Sequence, residues 1–264
     1  MICNYHTHTF RCHHAEGTER EYIEQAIAGG IAKMGFSEHI PLDFPGDYRS
    51  YWRMFSEDVE DYFTTLRAVR EEYRGRIEIF IGFEMEYYPL YFEEMKKNAL
   101  AWGAEYLILG QHYTESEFPG GIYSGFRTPD ESALKSYADN VVNGIRTGLF
   151  SYVAHPDLFS FTGSADVRDR EMRRICRAAK EESVPLEINL LGIRSKRSYP
   201  DPDFWRIAGE EGCSAVLGCD AHTPEDACDP VSEAKARSLA ARSGVAIEDD
   251  PVLRLFAQGK GGSL

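Results

Sequence analysis

The chain has 264 residues, with 29 Lys and Arg against 43 Asp and Glu, a formal charge of −14 and 43% hydrophobic residues. That balance gives a globular protein a sizeable core and excludes a largely disordered or fibrous chain. So acidic a surface repels phosphate backbones and anionic lipid, which argues against nucleic acid and membranes as partners.

In chain order, the first apolar run, Met1–Tyr5, reads as a strand, rich in the residue types that favour extended structure. A helix is expected from Thr18-Glu19-Arg20-Glu21, a capping box, to about Ala32. Lys33–Phe36 is the second strand, followed by a helix over Ser56–Arg74. Ile77–Phe83, a helix over Tyr91–Trp102, and Tyr106–Leu109 come next. Thr128-Pro129-Asp130-Glu131 signals another helix start, with Pro at the first helical position. Phe150–Val153, a helix over Asp166–Glu182 and Pro185–Ile188 precede two more cap-plus-Pro starts, Asp201-Pro202 and Thr223-Pro224. The latter follows the seventh strand, Ala215–Leu217, and precedes a helix over Val231–Ser243.

Strands alternating with long helices imply parallel pairing through right-handed crossovers. The length suits a β/α barrel, which takes about 250 residues, and no Gly-x-Gly-x-x-Gly turn follows the first strand as a dinucleotide-binding sheet would need. One domain is expected over 1–258, with a frayed tail over 259–264. The six cysteines form no Cys-x-x-Cys pair, and no run of about 18 uncharged apolar residues occurs. With no basic or apolar leader at Met1–His6, the expected setting is cytoplasmic, with reduced thiols.

Six of the eight histidines fall just after these strands. His6 and His8 follow the first, His39 the second, His112 the fourth, His155 the fifth and His222 the seventh. Residues i and i+2 of a strand share a face, so His6 and His8 project together, as do Asp220 and His222. In a barrel all the carboxyl ends of the strands meet on one rim, where active sites are built. Glu84 and Glu86 end the third strand, and His13 and His14 lie in the loop after the first. A single His-x-His pair is commonly fortuitous, but six of eight histidines at strand ends is not what independent placement produces. Imidazole and carboxylate suit zinc, manganese and iron, and this many candidates exceeds the four to six ligands of one ion. Two or three divalent ions sharing a bridging carboxylate are expected, with no thiolate among the ligands.

Water held between two cations loses a proton near neutral pH and attacks phosphorus in line, so no side-chain nucleophile is required. No Gly-x-Ser-x-Gly elbow is present. Phosphate also wants a fork of donors, for which Arg194 and Arg197 after the sixth strand come first and Arg127 after the fourth comes second. The leaving alkoxide takes its proton from Asp220, His222 or a cation-bound water; the sequence leaves that choice open. The aromatic loop Leu42–Phe55 is placed to cover the site.

The residues resemble the polymerase and histidinol phosphatase (PHP) family of metal-dependent phosphoesterases. His6-Thr7-His8-Thr9, Gly35-Phe36-Ser37-Glu38-His39, Gly82-Phe83-Glu84 and Gly218-Cys219-Asp220-Ala221-His222 match its motifs in order. The stretches Cys12-His13-His14, Glu187-Ile188-Asn189, Gly192-Ile193-Arg194 and Tyr199-Pro200 are most similar to the stand-alone histidinol-phosphatases of that family. The resemblance implies a distorted seven-stranded barrel and three divalent ions. One would be held by His6, His8, Glu84 and Asp220, a second by the bridging Glu84 with His112 and His155, and a third by His14, His39 and His222. Spacing alone leaves His13 open in place of His14, and Glu86 in place of Glu84.

The implied activity is hydrolysis of L-histidinol phosphate, a small phosphate monoester of histidine biosynthesis. Other members imply two alternatives: a nucleotide, oligonucleotide or phosphotyrosyl substrate on the same metals, or a non-catalytic metal-binding domain. The last is disfavoured because every expected ligand position is filled.

Overall fold

The computed structural model describes residues 1–255, so the tail expected over 259–264 lies outside the described residues. Eight strands run parallel, each paired with the next in chain order: β1 (Cys3–Asn4), β2 (Lys33–His39), β3 (Glu78–Met85), β4 (Tyr106–Gly110), β5 (Val153–Ala154), β6 (Leu186–Asn189), β7 (Ser214–Gly218) and β8 (Ala246–Ile247). Beyond β1 and β7, Thr7 and Ala221 form a parallel bridge, and the His8 amide donates to the Ala221 carbonyl at 3.0 Å. The chain after β1 thus meets the chain after β7 at the carboxyl-terminal rim. All seven expected strands are present. The eighth, unforeseen because two residues carry no readable pattern, pairs with the opposite end of β7 through Ser214 and Ala246.

The crossovers are α1 (Glu19–Ala28), α2 (Val59–Glu72), α3 (Phe92–Trp102), α4 (Glu131–Arg146), α5 (Ala165–Glu181), α6 (Leu190–Arg194), α7 (Pro202–Glu210) and α8 (Pro230–Ser243). The Thr18 capping box forms as read, the Glu21 carboxylate accepting from the Thr18 amide at 2.7 Å. Helix α1 stops at Ala28, earlier than expected, because Gly29 and Gly30 follow and Gly30 takes φ +81°. Helix α4 begins at Glu131 rather than Pro129. Asp130 is its cap, accepting from the amides of Ser132 and Ala133, so Pro129 lies outside. Thr223-Pro224 opens only a 3₁₀ turn, Pro224–Ala227.

Two layers of side chains fill the molecule. Alternate strand residues such as Met34, Phe36, Leu107 and Leu217 face the helices in one continuous core. Inside the barrel, Tyr5, Tyr106 and Tyr152 pack with Cys3, Ile108, Ala154 and Val216 at the amino-terminal end. This apolar plug is the floor on which the polar cluster of the opposite rim stands.

Helix α2 is tied to that rim by Tyr62, fully buried, whose hydroxyl lies 3.0 Å from the Phe36 carbonyl and 2.9 Å from that of Gly82. Tyr62→Phe leaves both carbonyls without that donor. It is expected to lower the unfolding free energy by about 1–2 kcal/mol, read as a fall in the urea midpoint at unchanged slope. An unchanged midpoint would mean that the hydroxyl contributes nothing to the fold.

Candidate metal centre

Strand alternation and the rim geometry bring all nine sequence-predicted ligands to one end of the barrel. Glu84, at the end of β3 and 1% exposed, is the centre. Its Oε2 lies 3.1 Å from His39 Nδ1, 3.4 Å from His6 Nε2 and 3.5 Å from His8 Nε2. Its Oε1 lies 2.8 Å from His155 Nε2 and 3.4 Å from His112 Nε2. Asp220 Oδ1 stands 3.6 Å from His6 Nε2 and 3.4 Å from His8 Nε2. To one side, the ring nitrogens of His14, His39 and His222 lie within 4.8 Å of one another, with His14 and His222 Nε2 at 3.1 Å.

His13 turns away from this cluster, its ring 4.1 Å from that of Phe55. Glu86 shares Glu84's face but is taken up by Arg53 at 2.9 Å and by His112 Nδ1 at 3.1 Å.

These groups fit divalent cations. His6 Nε2, His8 Nε2 and Glu84 Oε2 are buried with no hydrogen-bond partner among the described residues, an arrangement that is costly for polar atoms by themselves. Two ligands each about 2.1 Å from a tetrahedral ion sit about 3.4 Å apart, which is the spacing these atoms keep. The donor set is imidazole and carboxylate. Cys12 also lies within 4.8 Å of His8 and His222. Burial and the neighbouring Glu38 push its thiol far above the usual range, which keeps it protonated.

Burial alone would raise the Glu84 carboxyl, but the imidazoles of His112, His6 and His39 outweigh it and hold it well below the usual range. Asp220 is held low in the same way by His6, His8 and His222. Burial lowers His6, yet Glu187, Asp220 and Glu84 prevail and raise it well above normal; His8 likewise rises to about 9. His14, His39 and His222 go the other way. Burial and the charge on His8 lower all three, His222 to about 3, so this trio presents neutral lone pairs.

Of the carboxylates behind the histidines, the sequence offers Glu86 only as an alternative ligand to Glu84 and attaches no role to Glu38. Glu38 meets His8 Nδ1 at 3.2 Å and Glu86 meets His112 Nδ1, leaving each Nε2 aimed at the cluster. Arg53, 3% exposed, joins Glu86 to Glu117 and pins the loop 42–55 beside the site, where Trp52 packs edge-on against His14. The i, i+2 alternation signals Glu86, whereas the Arg53 partnership has no local signal.

Of the phosphate candidates, Arg194 donates to the carbonyls of Cys219 and Asp220 at 2.7 and 2.8 Å and pairs with Asp226 at 3.0 Å. These contacts turn it to the backbone after β7, where Asp220 holds φ +48°. Arg197 lies against Tyr199 at 3.2 Å and near Tyr123 and Asp220. Arg127 is exposed on the loop after β4 and makes no ion pair among the described residues.

The sequence model of the PHP domain matches residues 4–190. A probable histidinol-phosphatase of Deinococcus radiodurans is 31% identical over 235 residues, covering 84% of this chain and 87% of that protein. The histidinol-phosphatase of Lactococcus lactis is 25% identical over 255 residues, covering 91% of each. The fold matches the crystal structure of the L. lactis histidinol phosphate phosphatase complexed with zinc, L-histidinol and phosphate with a TM-score of 0.72, at 23% identity over 93% of this chain and 95% of that one. A putative histidinol phosphatase of Listeria monocytogenes also gives 0.72, at 22% identity over 88% of this chain and 99% of that one. With its motifs converging on one buried cluster and the domain match spanning well over half its length, the chain belongs to the PHP domain family.

Proposed function

We propose that the chain is a divalent-metal-dependent phosphomonoesterase that hydrolyses L-histidinol phosphate to L-histidinol and phosphate. The observation that carries this reading is the set of buried, partnerless ligand atoms around Glu84, in a chain whose relatives are named histidinol-phosphatases. His6, His8, Glu84 and Asp220 hold one ion. Glu84, His112 and His155 hold a second, with the Glu84 carboxylate shared. His14, His39 and His222 hold a third. Zinc, manganese and iron all suit these ligands.

Bound cations supply Lewis acidity and make water nucleophilic near neutral pH. The chain's own part is to hold that geometry and neutralise the phosphoryl group. Arg197, backed by Tyr199 and Tyr123, is the best-placed guanidinium for a phosphoryl oxygen, with Arg127 at the outer edge. Trp52 and Tyr51, 59% and 67% exposed at the mouth, offer aromatic faces to the substrate imidazole. Asp220 and His222, 3.4 Å apart at the rim, are both held without an acidic proton and serve as ligands, so the leaving alkoxide takes its proton from water.

The test is a comparison of initial rates on L-histidinol phosphate, p-nitrophenyl phosphate and a 3′,5′-bisphosphonucleotide with manganese-loaded protein. Histidinol phosphate is expected to lead in kcat/KM by about a hundredfold, equivalent to about 3 kcal/mol of transition-state discrimination. A lead for the nucleotide would overturn the substrate and keep the metal chemistry.

A further inference from the structure

On β6, Glu187 is fully buried, and among the described residues no Lys or Arg pairs with it. Its Oε1 meets His6 Nδ1 at 2.8 Å. Its Oε2 accepts from the backbone amide of His155 at 3.0 Å and from Asn189 Nδ2 at 2.9 Å, and the same Asn189 nitrogen reaches Asp220 Oδ2 at 3.0 Å. One carboxylate thereby touches two of the residues in the His6, His155 and Asp220 group and reaches the third through a single side chain. Those three come from the ends of three different strands.

Two of the three also hold strained backbones: His155 has φ +30° and Asp220 φ +48°, conformations that residues with a Cβ keep only where the surroundings enforce them. The His155 amide that donates to Glu187 belongs to the strained residue itself. Space for the carboxylate is reserved by Gly218 on β7, where a Cβ would lie 1.7 Å from Glu187 Oε1.

We propose that Glu187 is the positioning residue that sets His6, His155 and Asp220 as a unit for metal binding, without touching the metal itself. The argument is one of donor and acceptor counts. His6 must carry its proton on Nδ1 for Nε2 to offer a lone pair, so Nδ1 donates. The His155 amide and the Asn189 amide nitrogen are donors under all conditions. Three donors converge on this side chain, and only an ionised carboxylate accepts from all of them. A glutamine of the same shape must turn its NH₂ either toward the amides, where donor faces donor, or toward His6. In the second case Nδ1 becomes the acceptor and the proton moves to Nε2, which removes the lone pair from the site. Glu38 meets the ring of His8 and the amide of its own neighbour His39, and Glu86 meets the ring of His112; Glu187 reaches ligands from three strands other than its own.

This inference rests on the metal reading above, and its test separates the two. Glu187→Gln, Glu187→Asp and the surface control Glu72→Gln are stripped of metal and titrated with zinc and cobalt against a chromophoric chelator. The control removes an exposed pair with Arg20, far from the site. The parent and Glu72→Gln are expected to bind with equal affinity. Glu187→Gln is expected to lose about 10- to 100-fold in affinity for its tightest ion and to shift the cobalt d–d bands. Glu187→Asp, which keeps the charge but withdraws it by one methylene, is expected to fall between them. It supplies the measurement if the Gln variant does not fold. Affinity within twofold of the parent and an unshifted cobalt spectrum in the folded variants overturn the inference. Failure of the parent itself to bind either ion overturns the metal reading instead.

Discussion

Glu84→Ala is expected to lower kcat/KM on L-histidinol phosphate by at least about 10³-fold, a loss of about 4 kcal/mol of transition-state stabilisation. No other side chain in the cluster meets so many partners. Five imidazoles, those of His6, His8, His39, His112 and His155, approach its two oxygens within 3.5 Å. Without the carboxylate, the proposed first and second ions lose their shared anionic ligand, and the remaining imidazoles repel one another whenever they are protonated. The loss must therefore appear in metal content as well as in rate, measured by elemental analysis after gel filtration. Glu84→Gln separates shape from charge. It keeps the volume, yet its neutral amide is a poor metal ligand, and it is expected to fall with the alanine variant rather than with the parent. Retention of more than a tenth of the parental activity by either variant, at parental metal content, would remove Glu84 from the centre of the mechanism.

How far the sequence discloses this centre depends on the range of the interactions concerned. Strand alternation and the rim rule suffice to bring His6, His8, Glu84 and Asp220 together, because both depend only on local period and on topology. The Thr18 capping box and the Asp201-Pro202 start are legible for the same reason: each is closed within three residues. Thr128-Pro129 misleads because two cap candidates compete two residues apart, and Asp130 wins by accepting from two amides. Helix α6 escapes because it is a five-residue turn capped by Asn189, too short for any periodicity.

The supporting carboxylates are illegible for a different reason. Glu38 sits next to a ligand in sequence and Glu86 alternates with one, while Glu187 has no ligand near it along the chain, and what distinguishes each is a partner 26 to 181 residues away. The positive φ angles of His155 and Asp220 carry little sequence signal either, since Asp and His enter that region more readily than most residues but nothing in the local pattern marks these two. Arg194 is the opposite case. Its position after the sixth strand suggests a ligand grip, while its contacts run to the carbonyls of Cys219 and Asp220.

Gly110→Ala is expected to cost the metal centre as much as loss of a supporting carboxylate, although the substitution adds a single methyl group and removes no ligand. Gly110 ends β4 and faces the barrel interior beside Glu84. A Cβ at this position would lie 1.8 Å from Glu84 Oε1, 2.5 Å from its Cδ and 2.7 Å from its Cγ. One of the two must move by more than 1 Å, and neither can do so freely. The Gly110 backbone pairs with Ala154 on β5, and the Glu84 carboxylate is enclosed by imidazoles on both oxygens. The carboxylate is the softer partner, so it leaves the position from which it faces both ligand sets. Metal affinity is expected to fall about 10- to 100-fold, with kcat falling alongside it at saturating metal, because excess metal restores occupancy but not the angle of the carboxylate. Gly75→Ala is the control. Gly75 has φ +80° in a turn at the far end of the barrel, with no atom within 4 Å of an added Cβ, so it carries only backbone strain of about 1 kcal/mol and leaves metal affinity unchanged. If Gly110→Ala binds metal like the parent, Glu84 has room to shift without consequence, and the close approach of β4 to its carboxylate is not what holds the centre in place.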